Sequence, residues 1–213
     1  MEFLKDFVDL FLHLDQHLGE IIRRFGGWSY LILFGVIFCE TGLVVTPFLP
    51  GDSLLFAAGT FAGIGAFQVW GLVATLTAAS ILGDSTNYWV GRFIGERAFS
   101  GTISFLKYEH LEKTRQFYRK HGRRTIIIAR FLPIVRTFAP FVAGVGQMPY
   151  LRFVTYSILG SVLWVGLFVF GGYLFGNLPV VRQNFSLVIV AIIGISVLPI
   201  ALEWLRGRRT RPA

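Results

Sequence analysis

Two apolar segments of this chain are broken by prolines and also carry ionisable side chains, a combination that few folds accommodate. Glu40-Thr-Gly-Leu-Val-Val-Thr-Pro-Phe-Leu-Pro-Gly-Asp52 carries only acids, and Arg130-Phe-Leu-Pro-Ile-Val-Arg136-Thr-Phe-Ala-Pro140 carries only bases. Charges and helix-breaking prolines are costly in hydrocarbon, so their presence in two such segments predicts a polar site enclosed by protein or lining a wet cavity. Pro47, Pro50, Gly51, Pro133 and Pro140 are the residues expected to break the two segments.

The rest of the chain supplies the hydrocarbon setting. It is 54% hydrophobic, only 15% charged and rich in Phe and Gly, a composition that predicts an integral membrane protein with all-α architecture. A span needs about 20 apolar residues, and 69–91, 153–175 and 185–205 qualify as full transmembrane helices. Residues 1–27 are expected to form neither a span nor a signal peptide, because Glu2, Asp6, Asp9, Asp15 and Glu20 interrupt the apolar run. The helical spacing of Phe3, Phe7, Leu10, Phe11, Leu14, Leu18 and Ile21 predicts an amphipathic helix there, lying at the interface or packed on the protein's own surface. The lone Cys39 excludes an intramolecular disulfide.

Charge then orients the chain. Residues 92–124 hold nine Lys and Arg against three Glu, and Arg206, Arg208, Arg209 and Arg211 crowd the tail. These bases flank spans, which favours a membrane setting over nucleic acid and predicts that both regions, including the C-terminus, are cytoplasmic. The basic helix of 92–124 is expected to ride on anionic headgroups. Between two cytoplasmic regions the chain crosses an even number of times, so 125–147 must return to its starting side. Its arms on either side of Val135-Arg136-Thr137 have about ten residues, enough at ~1.5 Å per residue to reach only half-way. A re-entrant hairpin results. The first broken hairpin, 28–67, has longer arms and is either re-entrant or a pair of tilted spans.

The two halves resemble each other. Phe48-Leu-Pro50 returns as Phe131-Leu-Pro133, each followed by an Ala-Gly pair, Ala58-Gly59 and Ala143-Gly144; Ser80-Ile-Leu-Gly83 returns as Ser157-Ile-Leu-Gly160, and Trp89-Val-Gly91 as Trp164-Val-Gly166. Entered from opposite sides, the copies form an inverted repeat, an organisation that places a transporter's substrate site near mid-membrane.

Arg130 and Arg136 flank Pro133, and the break lets both guanidinium groups turn to one cavity. Their planar forks suit phosphate, and a lipid phosphate is the expected ligand; the alternative is that they snorkel to the surface. Glu40 and Asp52 bracket the first break. Burial and a neighbouring arginine pull a carboxyl's proton affinity in opposite directions, which makes a titratable switch for proton or ion coupling. The competing reading is a permanent ionic tie from Glu40 and Asp52 to Arg130 and Arg136. Asp84, with Asn87 on the same helical face, sits mid-span and is expected to point at the same cavity. Asn87 is also placed to satisfy an unpaired backbone group. No metal or cofactor site is read: His13 and His17 lack the Glu and third ligand of a zincin helix, and neither a Walker A sequence nor a nucleophile elbow occurs. Trp28, Tyr30, Trp70, Tyr150 and Trp204 are expected to anchor span ends.

These motifs, Glu40…Pro-Phe-Leu-Pro-Gly-Asp52 and Ala129-Arg130-Phe-Leu-Pro-Ile-Val-Arg136, resemble the two signature regions of the DedA membrane proteins, which share the wider VTT domain. The resemblance covers roughly residues 25–205. It implies a lipid flippase or scramblase of the bacterial cytoplasmic membrane, with undecaprenyl phosphate or phosphatidylethanolamine as cargo, a link to envelope homeostasis, and dependence on protons or sodium ions. The family's essential acids and arginines fall on Glu40, Asp52, Arg130 and Arg136. Two other functions compete: a proton-coupled cation antiporter, with the arginines as structural counter-charges, and a non-transporting membrane assembly factor. An enzyme is not expected. Whether one chain or a homo-oligomer forms the path is left open by the residues.

Overall fold

The computed structural model describes residues 14–43, 51–94, 125–185, 187–192 and 194, and its regular structure is helical throughout. Helix α1 (Leu14–Phe25) passes through a 3-10 turn (Gly26–Trp28) into α2 (Ser29–Gly42). Gly26 sits at φ 51°, a left-handed conformation that glycine adopts without penalty. Next come α3 (Gly51–Gly63) and the long α4 (Val69–Ile94), then α5 (Thr125–Ala129), α6 (Pro133–Val145), the long α7 (Tyr150–Phe175) and α8 (Pro179–Gln183). Two described stretches, His17–Gly42 and Tyr150–Phe175, are long and apolar enough to cross a membrane. Helix α4 matches α7 at 26 residues, about 39 Å at ~1.5 Å per residue. Pro47, Pro50, residues 1–13, most of the basic segment 92–124, the greater part of 185–205 and the arginine tail lie outside the described residues.

Helix α7 shows how sequence sorts the environment. One face turns inward with Ser157, Gly160, Ser161 and Trp164, all buried. The opposite face exposes Leu159, Leu163, Leu167 and Leu174. A leucine stripe turned outward while serines turn inward is the arrangement for lipid rather than water outside. The described part of α1 packs on the protein: Leu18 is buried in the main core with Leu33, Ile37, Leu55 and Leu76, and Gly19 lies beneath the Phe61 ring of α3.

The breaks differ in detail from the sequence reading. Val135-Arg136-Thr137, expected at the turn of the second hairpin, lies within α6; the chain instead breaks at Arg130–Leu132. Leu132 is extended (φ −122°, ψ 102°), as a residue before proline prefers, and Pro133 opens α6 where its missing N–H costs nothing. Pro140 breaks nothing and sits inside α6, buried. Within the same helix the carbonyl of Thr137 accepts a hydrogen bond from Asn87 Nδ2 of α4 at 2.8 Å.

Helices α3 and α6 each pack most extensively on the long helix of the other half, α3 on α7 and α6 on α4. Glycines make these contacts backbone to backbone. A Cβ on Gly59 would strike the Val169 carbonyl, and one on Gly172 the Phe56 carbonyl; likewise Gly144 meets Tyr88 and Gly91 meets Phe141. The two seams are therefore reciprocal, with Phe56-Ala-Ala-Gly59 playing the part of Phe141-Val-Ala-Gly144. This correspondence sets Ser80 opposite Ser161, whose hydroxyls lie 3.3 Å apart, one turn beyond the Ser157 selected by sequence matching.

Candidate functional site

Five charged side chains meet where the helices cross. Glu40 stands in the last turn of α2, where a carboxylate opposes the helix dipole, and Asp52 in the first turn of α3, where it complements it. Arg136 of α6 joins them. Its Nη1 donates to Asp52 Oδ1 at 2.7 Å while its Nη2 pairs with Glu40 Oε1, so one guanidinium holds the two sides of the first break. Gly51 leaves room at this junction for the Glu40 carboxylate, on which a Cβ there would fall.

Arg130 takes different partners from those expected. It pairs with Asp84 of α4 rather than with Glu40 or Asp52, donates Nη1 to Ser80 Oγ, and reaches Ser157 Oγ with Nη2 at 3.3 Å. Ser157 Oγ in turn donates to Asp84 Oδ2 at 2.6 Å, and Ser161 Oγ to Ser80 Oγ at 3.3 Å. Arg130 thus occupies a neutral pair ringed by hydroxyls, which is how a buried charge is made tolerable. Its stem lies over Gly160, where a Cβ would stand 3.3 Å from Arg130 Cγ. Neither arginine snorkels: their side chains are 2% and 6% exposed.

The expected shared cavity is therefore two adjoining ion-pair clusters, with Arg136, Glu40 and Asp52 in one and Arg130 and Asp84 in the other. Asp52 is the most accessible of the five, at 13%. Three carboxylates face two guanidiniums. Glu40 Oε2, Ser53 Oγ and Asn87 Oδ1 are buried without a hydrogen-bond partner. Asn87 closes the arrangement from α4, donating Nδ2 to the Thr41 carbonyl at the end of α2 (3.2 Å) and to Thr137 of α6.

Sequence reasoning missed Ser80, Ser157, Ser161 and Trp164 as members of this site. A signal for them existed. Ser80, Asp84 and Asn87 fall on one face of α4, and Ser157, Gly160, Ser161 and Trp164 on one face of α7, so small and polar residues recur at helical spacing within apolar spans.

Among known families, residues 49–174 match the VTT domain. The chain is 50% identical over 212 residues to Protein DedA of Escherichia coli (strain K12), covering 98% of this chain and 97% of that protein. An uncharacterized membrane protein of Mycobacterium leprae is 41% identical over 177 residues, 83% of this chain and 79% of its own length. The inner membrane protein YghB of Escherichia coli (strain K12) is 33% identical over 189 residues, covering 88% and 82% respectively. No solved structure matches.

Proposed function

Because this chain belongs to the DedA family of VTT-domain membrane proteins, we propose that it is a lipid transporter of the bacterial inner membrane that moves a phosphate-bearing lipid between leaflets, coupled to protons or sodium ions. The observation that carries this reading is the Arg136 fork, buried among apolar helices and held by two carboxylates from either side of a chain break. A guanidinium fork binds a phosphate in the geometry it uses for carboxylate. Lipid phosphate and the acids therefore compete for Arg136. Protonating an acid releases a prong of the fork to the headgroup, and loss of the headgroup returns it. Three carboxylates against two guanidiniums leave one negative charge in hydrocarbon, a state that one bound cation or proton neutralises. Glu40, with one oxygen unpartnered, is the proposed exchanging acid.

In this reading the reciprocal glycine seams relate two inverted halves that rock about the charged centre. Arg130 and Asp84 pin that centre while Arg136, Glu40 and Asp52 exchange partners. Undecaprenyl phosphate and phosphatidylethanolamine are the cargo candidates, and the C-terminal tail is cytoplasmic. The test is leaflet exchange of both lipids, fluorescently labelled, in liposomes bearing wild type, Arg136→Lys or the double variant Arg130→Ala, Arg136→Ala, with and without a pH gradient. Exchange by wild type that falls at least roughly tenfold in Arg136→Lys is expected, since a lysine keeps the charge and loses the fork. Equal exchange by wild type and double variant would overturn the reading, and ion flux in liposomes of a neutral lipid would replace it with the cation antiporter.

A further inference from the structure

The two ion-pair clusters are joined by one side chain. Trp164 of α7 is wholly buried. Its indole Nε1 donates to Asp52 Oδ1 at 2.8 Å, the oxygen that also accepts from Arg136. Its ring lies 4.8 Å from the Arg136 guanidinium carbon and 5.8 Å from that of Arg130. Both distances are within the range in which an aromatic face attracts a cation, and burial removes the water that would weaken the effect. Two cations share a single indole, and a carboxylate fixes its edge.

The placement is specific. Aromatic residues of membrane helices gather at span ends, where one side of the ring meets headgroups. Trp164 instead stands in the interior of α7, one turn beyond Gly160, which clears the path for the Arg130 stem, and on the same face as Ser157, which bonds Asp84 and Arg130. A leucine would fill the space. Only an indole presents a negative face to two guanidiniums and an N–H to an acid at once.

We infer that Trp164 is a positioning residue that couples the two clusters, transmitting a change of partner at Asp52 and Arg136 to Arg130 through one rigid ring. When Asp52 gives up its charge or moves, the N–H loses its anchor and the plane turns. The field at both guanidiniums then changes together. The purpose assigned to this coupling rests on the transport reading above; the coupling itself does not.

The experiment follows the coupling directly, by nitrogen-15 NMR of the full chain in nanodiscs. Trp164→Phe identifies the Trp164 indole signal, and Arg130→Lys identifies the Arg130 Nε–H signal. Asp84→Asn, which removes a charge that shares no hydrogen bond with the indole, is expected to shift the Trp164 signal. Asp52→Asn is expected to shift the Arg130 signal, and that shift should fall to less than roughly half in a Trp164→Phe background, where the ring remains without its N–H. An unmoved indole signal in Asp84→Asn, or an Arg130 shift of the same size with and without the indole, overturns the inference. If Trp164→Phe does not fold, 5-fluorotryptophan incorporation weakens the ring face at constant shape, and the Arg130 shift must again shrink. Leaflet exchange is measured beside it: slower exchange with an altered pH profile in Trp164→Phe extends the coupling to transport. NMR coupling without any lipid exchange by wild type rejects the transport reading and leaves the coupling in place.

Discussion

At the scale of single residues, the site is governed by what an uncompensated charge costs inside an apolar protein. Glu40→Gln removes the exchangeable proton and balances two carboxylates against two guanidiniums. Leaflet exchange in this variant is expected to lose its response to a pH gradient, and a retained response, measured in the same liposomes, would remove Glu40 from the coupling role. Gly51→Ala drives a methyl group into the Glu40 carboxylate; overpacking of this kind costs about 1–3 kcal/mol, read as a lower thermal midpoint in detergent together with lost exchange. The charged members of the site were legible in the sequence, since an Asp, Glu or Arg in an apolar segment announces itself by its cost. Their pairing was legible only in part: the tie of Glu40 and Asp52 to Arg136 is one of the two readings drawn from the sequence, and the partner of Arg130 is not. Arg130 meets Asp84 rather than the acids of the first break because α4 crosses closer to it, and a crossing is a property of three dimensions. Ser80, Ser157 and Trp164, visible in the repeat, were not legible as members of the site because serine is unremarkable in a helix and tryptophan passes as one more apolar residue.

At the scale of helices, backbone contact replaces side-chain interdigitation, as small residues permit in membranes. Gly59→Ala and Gly144→Ala each place a Cβ against a carbonyl of a neighbouring helix, whereas Gly166→Ala points into open space. The first two are expected to lower the thermal midpoint and the third to leave it unchanged or raise it slightly, because alanine favours helix by about 1 kcal/mol over glycine. Equal effects at all three positions would refute the reciprocal seams. Asn87→Leu removes the amide's hydrogen bonds to the Thr41 and Thr137 carbonyls, at a cost of about 0.5–1.5 kcal/mol for each bond, checked by the same melting experiment. Among the described residues, the long helices α4 and α7 could be read from apolar length and a break beside Pro133 from the proline itself. The exact break in the second hairpin could not, because Pro133 and Pro140 look alike in sequence, and only packing decides which one starts a helix and which is absorbed within it.

At the scale of the whole molecule, the amide of Asn87 draws a line of parting. It fastens the end of α2 and the middle of α6 to α4, while the glycine contacts fasten α3 to α7. Glu40 and Arg136 travel with the first group; Asp52 and Trp164 travel with the second. In the transport reading, a displacement that spares both fastenings parts the Ser157–Asp84 and Ser161–Ser80 bonds between α7 and α4 and opens the Asp52 prong of Arg136, while the Glu40 prong answers to the proton. Like a latch whose bolt stays with the door and whose keeper stays with the frame, Arg136 would divide its two ionic contacts between two events, the Asp52 bond yielding to movement and the Glu40 bond to a proton.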